Sequence, residues 1–181
     1  SGWLKEGVTM PSKSMLKNIS AAAPVINNRI LIDFSPYTDG QDPNSGMVLP
    51  ESQIRARMQI IAPYSKWIRS FSCGHGLEVI GRIAHEMNLQ VAVNAWIGPS
   101  DVDNQQQITC LINQANAGHV DLAIVGSEAL LRGDVTPDTL IGYIDQVRQA
   151  IPLSIPVTTA DVYTTFLGNP ILVDHIDFIF A

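Results

Sequence analysis

The sequence predicts an α/β fold. It is a TIM (β/α)8 barrel of which residues 29–181 supply about strands one to six and lack the last two βα units. Three observations predict it. From Arg29 onward, short apolar segments alternate with amphipathic ones, the pattern of βα units around a parallel sheet. The first strand leads into Ser35-Pro36-Tyr37-Thr38-Asp39-Gly40-Gln41, which carries neither the glycine-rich turn of a dinucleotide fold nor a P-loop. The strands end in polar or aromatic residues, Phe34, Phe71, Trp96, Glu128 and Asp161, as suits a barrel whose chemistry sits at the C-terminal ends of its strands. An open doubly wound sheet is the competing architecture.

The elements follow in order. Residues 1–28, with Pro11, Ser12, Ser14 and Ala21-Ala22-Ala23-Pro24, read as an N-terminal arm or linker. The first strand is Ile30 to Phe34, and a loop rich in Gly, Pro, Asp and Asn runs from Ser35 to Pro50. Pro50-Glu51-Ser52-Gln53 opens a helix through Ile61. The second strand is Trp67 to Phe71, followed by a helix from Leu77 to Met87 with Leu77, Ile80, Ile83, Ala84 and Met87 at helical spacing. The third strand is Val91 to Trp96, and its helix spans Asp103 to Ala117. The fourth is Leu122 to Val125, cut off by Gly126; its helix runs from Pro137 to Ala150, with Thr136 placed to cap it. The fifth strand is Ile155 to Thr159, followed by a short helix from Val162 to Leu167, and the sixth is Ile176 to Phe180.

Composition narrows the class. Hydrophobic residues make up 46%, enough for one sizeable core. The formal charge of -6 leaves no basic footprint for nucleic acid and leaves room for a neutral ligand. No apolar run approaches the ~20 residues that span a bilayer. No signal-peptide pattern is present, although Ser1-Gly2 lacks an initiator Met, so the native N-terminus is expected to lie elsewhere. Cys73 and Cys110 have no motif spacing and read as buried free thiols, with a disulfide between them as the alternative that nothing in the sequence supports. No histidine pair has metal-ligand spacing, so neither metal nor cofactor is expected. His75 follows the second strand within reach of the cleft, and His85 belongs on the outer helix surface.

The segment Val120 to Asp134, VDLAIVGSEALLRGD, carries the chemistry. A buried strand ends at a glycine, and a lone acid, Glu128, follows. A carboxyl placed there is a candidate general acid or base. The competing reading is a solvated acid in the first turn of a helix. Arg132 is expected to pair with Asp134 or with an acid on a neighbouring loop.

The motifs FSPYTDGQDP, IRSFSC, VNAWIG, IVGSEALLRGD and IPVTTADVY, in this order, closely resemble bacterial members of glycoside hydrolase family 17, the β-1,3-glucanases and β-1,3-glucanosyltransferases. The resemblance covers roughly residues 29–181, and VGSEALLRGD is its most specific part. It implies a retaining two-carboxylate mechanism on β-1,3-glucan, with carboxylates ~5–5.5 Å apart. By position Glu128 is the acid/base. The family nucleophile lies on the seventh strand, so none is assigned in this chain. Where the family has asparagine before the acid, this chain has Ser127; Phe34 and Phe71 stand where tyrosine is common. Trp96 is expected as a sugar platform or as core. Asp161 would bind substrate, hold Glu128 in place or cap the helix after it. Tyr37, Asp39 and Gln41 on the first loop are candidates for distal sugars.

The resemblance also implies a β-glucan ligand and an extracellular, periplasmic or membrane-associated setting. An open six-strand barrel exposes long edges. The chain is therefore expected to be a fragment, or to complete its barrel through a second chain or copy. A glucan-binding or scaffolding barrel without turnover is the alternative.

Overall fold

A computed structural model describes residues 31–181, so the arm expected over 1–28 lies outside the described residues. Five parallel strands form one sheet in sequential order: β1 Leu31–Asp33, β2 Trp67–Arg69, β3 Gln90–Ala95, β4 Leu122–Ser127 and β5 Val157–Ala160. Five α-helices cover its outer face: α1 Glu51–Ile61, α2 Ile80–Glu86, α3 Asp101–Asn116, α4 Pro137–Ala150 and α5 Tyr163–Gly168. Sequential parallel order excludes the doubly wound sheet, whose strand order reverses midway. The described residues form part of a (β/α)8 barrel.

Period-two alternation along the strands separates two cores. Ile68, Val91, Val93, Ala123 and Val125 face outward against α1 to α4, which bring Ile54, Met58, Ile83, Ile108, Leu111 and Ile144. Trp67, Ala92, Leu122, Ile124 and Ala160 face inward, with Leu31, Phe178 and Phe180 against them. The helix ends follow local chemistry. Thr136 accepts a hydrogen bond from the Thr139 amide at 3.2 Å, ahead of Pro137 in the first turn of α4. Ser100 caps α3 by accepting from the Asp103 amide.

Several boundaries differ from expectation. Ile176 to Phe180 is not a regular strand: one parallel bridge joins Phe180 to Ala160. Side chains take the places of ladder rungs. Thr158 donates its hydroxyl to the Phe178 carbonyl (2.6 Å), and the Asp177 carboxylate accepts from the Val157 amide (2.6 Å). The helix expected from Leu77 begins as a 3-10 turn over Leu77–Val79 and becomes α-helical at Ile80. Gly126 does not end β4, which continues to Ser127.

Cys73 and Cys110 are not free thiols but a disulfide, with Cα atoms 5.8 Å apart, inside the range that a bridge requires. The loop after β2 folds back onto α3 and brings together two residues 37 apart in sequence. Among the described residues no helix is long and apolar enough to cross a membrane.

Candidate active site

The site lies at the C-terminal ends of the strands and is built around a defect in β4. From Ile124 to Ser127 this strand advances three residues while β5 advances two, Thr158 to Ala160. The extra residue is a β-bulge, and Gly126 takes the left-handed conformation it needs (φ 83°). A β-carbon at Gly126 would stand 3.2 Å from a methyl of Leu140, so space as well as torsion favours glycine. The bulge turns Ser127 inward toward β2. The next residue, Glu128, also has positive φ (55°), an uncommon state for a residue with a side chain. It is held by its amide, which donates to the Ala160 carbonyl at 2.7 Å, and its side chain is exposed at the strand end.

Two residues secure the loop after Glu128. Asp161 is 4% exposed. One of its carboxylate oxygens accepts from the Leu130 and Leu131 amides (3.3 and 3.4 Å), and the other from the Val162 amide (2.9 Å) and the Thr165 hydroxyl (2.7 Å). Its charge is thus turned to the Glu128 loop and to the start of α5, not to open space. Arg132 pairs with Asp134 at 2.7 Å and donates to the backbone carbonyls of Ser127 and Ile97. Its guanidinium also lies 4.3 Å from the centre of the Trp96 ring. Arg132 therefore ties Trp96, just past the end of β3, to the end of β4 that bears Glu128. Trp96 remains 40% exposed.

A cavity of about 520 Å³ opens over the ends of β1 to β3; Trp96 lines it, whereas Ser127, Glu128 and Arg132 do not. Phe34, Tyr37, Phe71 and Trp96 supply its aromatic surface, and Ser72, His75, Asp103, Asn104 and Gln107 its polar groups. Phe34 is nearly buried and also belongs to the outer core. Burial, and secondarily Asp42, raises the Tyr37 hydroxyl above the ordinary tyrosine pKa, so it stays a neutral donor. Gln107 was not expected in the site. Its carboxamide oxygen accepts from the Ser72 hydroxyl and from the Cys73 and Trp96 amides. Gln41 is spent within its loop, exchanging hydrogen bonds with Gln53 and accepting from the Thr38 amide. Asp39 lies with Tyr37, Thr38 and Arg57 in a separate shallow recess. His85 pairs with Asp121 at 2.9 Å on the helix side.

The residue that the sequence concealed is Arg69, the last of β2. It faces inward, nearly buried, between the rings of Phe71 (5.2 Å) and Phe180 (5.1 Å). It donates to the Ser127 hydroxyl at 2.7 Å and lies 3.8 Å from the Asp33 carboxylate. Burial draws its pKa below the ordinary arginine range, and the negative charges of Asp33 and Glu128 act against that shift. Only the alternation of Trp67 inward and Ile68 outward could have flagged it. Asn94, two residues beyond Ala92 on the inner face of β3, is fully buried and donates to the Phe71 carbonyl. Among the described residues no cluster of three metal-ligating side chains exists.

Residues 32–181 match the BtgE/BtgC glycoside hydrolase domain. The chain is 29% identical over 134 residues to a probable beta-glucosidase btgE of Aspergillus flavus, an alignment covering 71% of this chain and 21% of that protein. It is 27% identical over 140 residues to a glucan 1,3-beta-glucosidase of Schizosaccharomyces pombe, covering 70% of this chain and 43% of the relative. The chain thus spans about a fifth to two fifths of the length of these curated relatives. Among solved structures it is similar to a glycoside hydrolase family 17 beta-1,3-glucanosyltransferase from Rhizomucor miehei, at 26% identity and a TM-score of 0.67, covering 82% of this chain and 55% of that one. An active-site mutant of that enzyme, in complex with laminaritriose, matches equally. These relatives are fungal, whereas the motifs pointed to bacterial members of the family. The bulged strand end, the acid it presents and the aromatic cavity over β1 to β3 therefore stand in a chain that belongs to the BtgE/BtgC glycoside hydrolase domain family.

Proposed function

We propose that this chain carries the acid/base half of a glycosidase site acting on β-1,3-glucan by a retaining, two-carboxylate mechanism. One observation carries the proposal. Glu128 is presented at the end of β4 by a bulge and a left-handed turn, on a loop held by Asp161 and by Arg132, whose guanidinium packs on Trp96, one wall of the aromatic cavity. Backbone outliers of this kind persist where the surroundings over-determine them, and they cluster at working sites. Aromatic faces suit the apolar faces of pyranose rings. Glu128 would protonate the departing glycosidic oxygen and then, as a base, activate the acceptor.

The second carboxylate would come from outside this chain, ~5–5.5 Å from Glu128 in the complete site. Asp161 does not fill that role in this reading, because both of its oxygens are engaged in holding the loop. A glucan-binding barrel without turnover is the second reading, and that engagement of Asp161 is what favours it.

The test is reducing-sugar release from laminarin. In a protein whose barrel is complete, Glu128→Gln is expected to abolish release while laminaritriose binding persists. Release at the parent rate would sink the catalytic reading. A parent that binds laminaritriose but cleaves nothing would favour the binding module. The 181-residue chain alone, its mass verified, is expected to release none.

A further inference from the structure

Arg69 is the inner-face residue that the functional reading leaves without a task. Its Nη2 donates to Ser127 Oγ, its Nη1 stands at the outer limit of an ion pair with Asp33, and its buried Nε has no partner among the described residues. Arg132, by contrast, has its donors matched by Asp134 and two carbonyls. A buried cation with one N–H unmatched is costly, so stability is a poor reason for its presence. Two aromatic rings fix its position.

The chemistry of the pair supplies the reason. Guanidinium only donates, so the 2.7 Å contact makes Ser127 Oγ the acceptor. The single proton of that hydroxyl is then free for another partner. Ser127 directly precedes Glu128, on the bulge that turns it inward.

We propose that Arg69 is a positioning residue that commits Ser127 to donate a hydrogen bond to a hydroxyl of the sugar beside Glu128. The Arg69–Ser127 pair then does the work of the single side-chain amide found where asparagine precedes the acid. An amide brings its own donor and needs no help from β2, whereas a serine hydroxyl rotates freely until an arginine donating to one of its lone pairs turns its proton away from β2. This inference rests on the glucan-site reading.

The experiment is a double-mutant cycle on laminaritriose binding to the protein with its barrel complete, read by titration calorimetry, with folding checked by thermal melts. Ser127→Ala and Arg69→Met are each expected to weaken binding about fivefold, the worth of one net hydrogen bond. The double variant is expected to be no weaker than the weaker single. Ser127→Asn placed in the Arg69→Met background is expected to return the affinity to within about twofold of the parent. A merely structural arginine would not be rescued by an amide at position 127.

Additive losses, or no rescue by asparagine, overturn the proposal while leaving the glucan site standing. If Arg69→Met does not fold, Arg69→Lys carries the same cycle, because a point charge lacks the planar fork that meets Ser127 and Asp33 together. A barrel-complete parent that binds no laminaritriose overturns this proposal and the glucan-site reading together.

Discussion

Asp161 accepts four hydrogen bonds, two of them from the backbone of the loop that follows Glu128. Removing a buried, fully engaged carboxylate strips partners from several amides at once. Asp161→Ala is therefore expected to destabilise the chain by about 3 kcal/mol, measured by urea unfolding. In a complete enzyme it should also lower laminarin cleavage, because the loop of Glu128 loses its anchor. A variant with wild-type stability would show that the amides find other partners. At this scale the sequence was informative about residue types and silent about their company. Glu128 and Trp96 stand out in the sequence as candidates because a motif surrounds them. Arg69 was not, because its partner Ser127 is 58 residues away and an arginine before Ser-Phe looks like any surface cation.

β4 shows how an element can be foreseen while its working detail is not. Leu122 to Val125 read correctly as a buried strand, but the glycine that seemed to end it forms a bulge within it. The bulge depends on pairing with β5, which no local pattern reveals. Gly126→Ala should cost about 1–2 kcal/mol, since the residue has positive φ and its β-carbon would crowd Leu140. Chemical denaturation checks this, and a neutral substitution would mean that the bulge relaxes.

The segment after α5 shows the converse. Ile176 to Phe180 has the composition of a strand, yet only two backbone bonds, Asp177 to Val157 and Asp161 to Phe180, join it to β5 and its neighbour, and the Thr158 and Asp177 side chains supply the others.

On the outer surface, Arg55 and Arg82 each bridge Glu51 and Glu86 at 2.6–2.9 Å, a closed square joining α1 to α2. Hydrogen bonds from the two arginines hold both glutamates below the ordinary carboxylate pKa. A lowered folded-state pKa gives stability that is full above the unfolded value, about 4.3, and lost as pH falls through the folded one. Thermal melts between pH 7 and pH 3 should therefore show a smaller acid loss for Glu51→Gln/Glu86→Gln than for the parent. The difference should shrink in high salt, because these groups are exposed. An unchanged acid loss would show that the square contributes nothing.

At the scale of the molecule, alternation of strands and helices was enough to predict parallel βα units, because period-two and helical periodicities are local properties. The disulfide was only the disfavoured alternative in the sequence, because it depends on where the loop after β2 lands on α3. That bridge closes a 37-residue separation and is expected to contribute about 4 kcal/mol through the unfolded chain. Reduction should lower the melting temperature by roughly 10 °C and loosen the Ser72–His75 wall of the cavity. A melt unaffected by reductant would contradict this.

The central claim is that Glu128 is the proton donor of a β-1,3-glucan site. A proton donor matters in proportion to how poor the leaving group is. The most direct measurement compares Glu128→Gln with its parent, in a protein with the barrel complete, on laminarin and on a dinitrophenyl β-laminaribioside whose phenolate leaves without protonation. The expected loss is about 10²–10⁴-fold on laminarin and far smaller in the first-turnover release of the dinitrophenolate, which precedes the base step. Equal losses on both substrates, or no loss on laminarin, would contradict it.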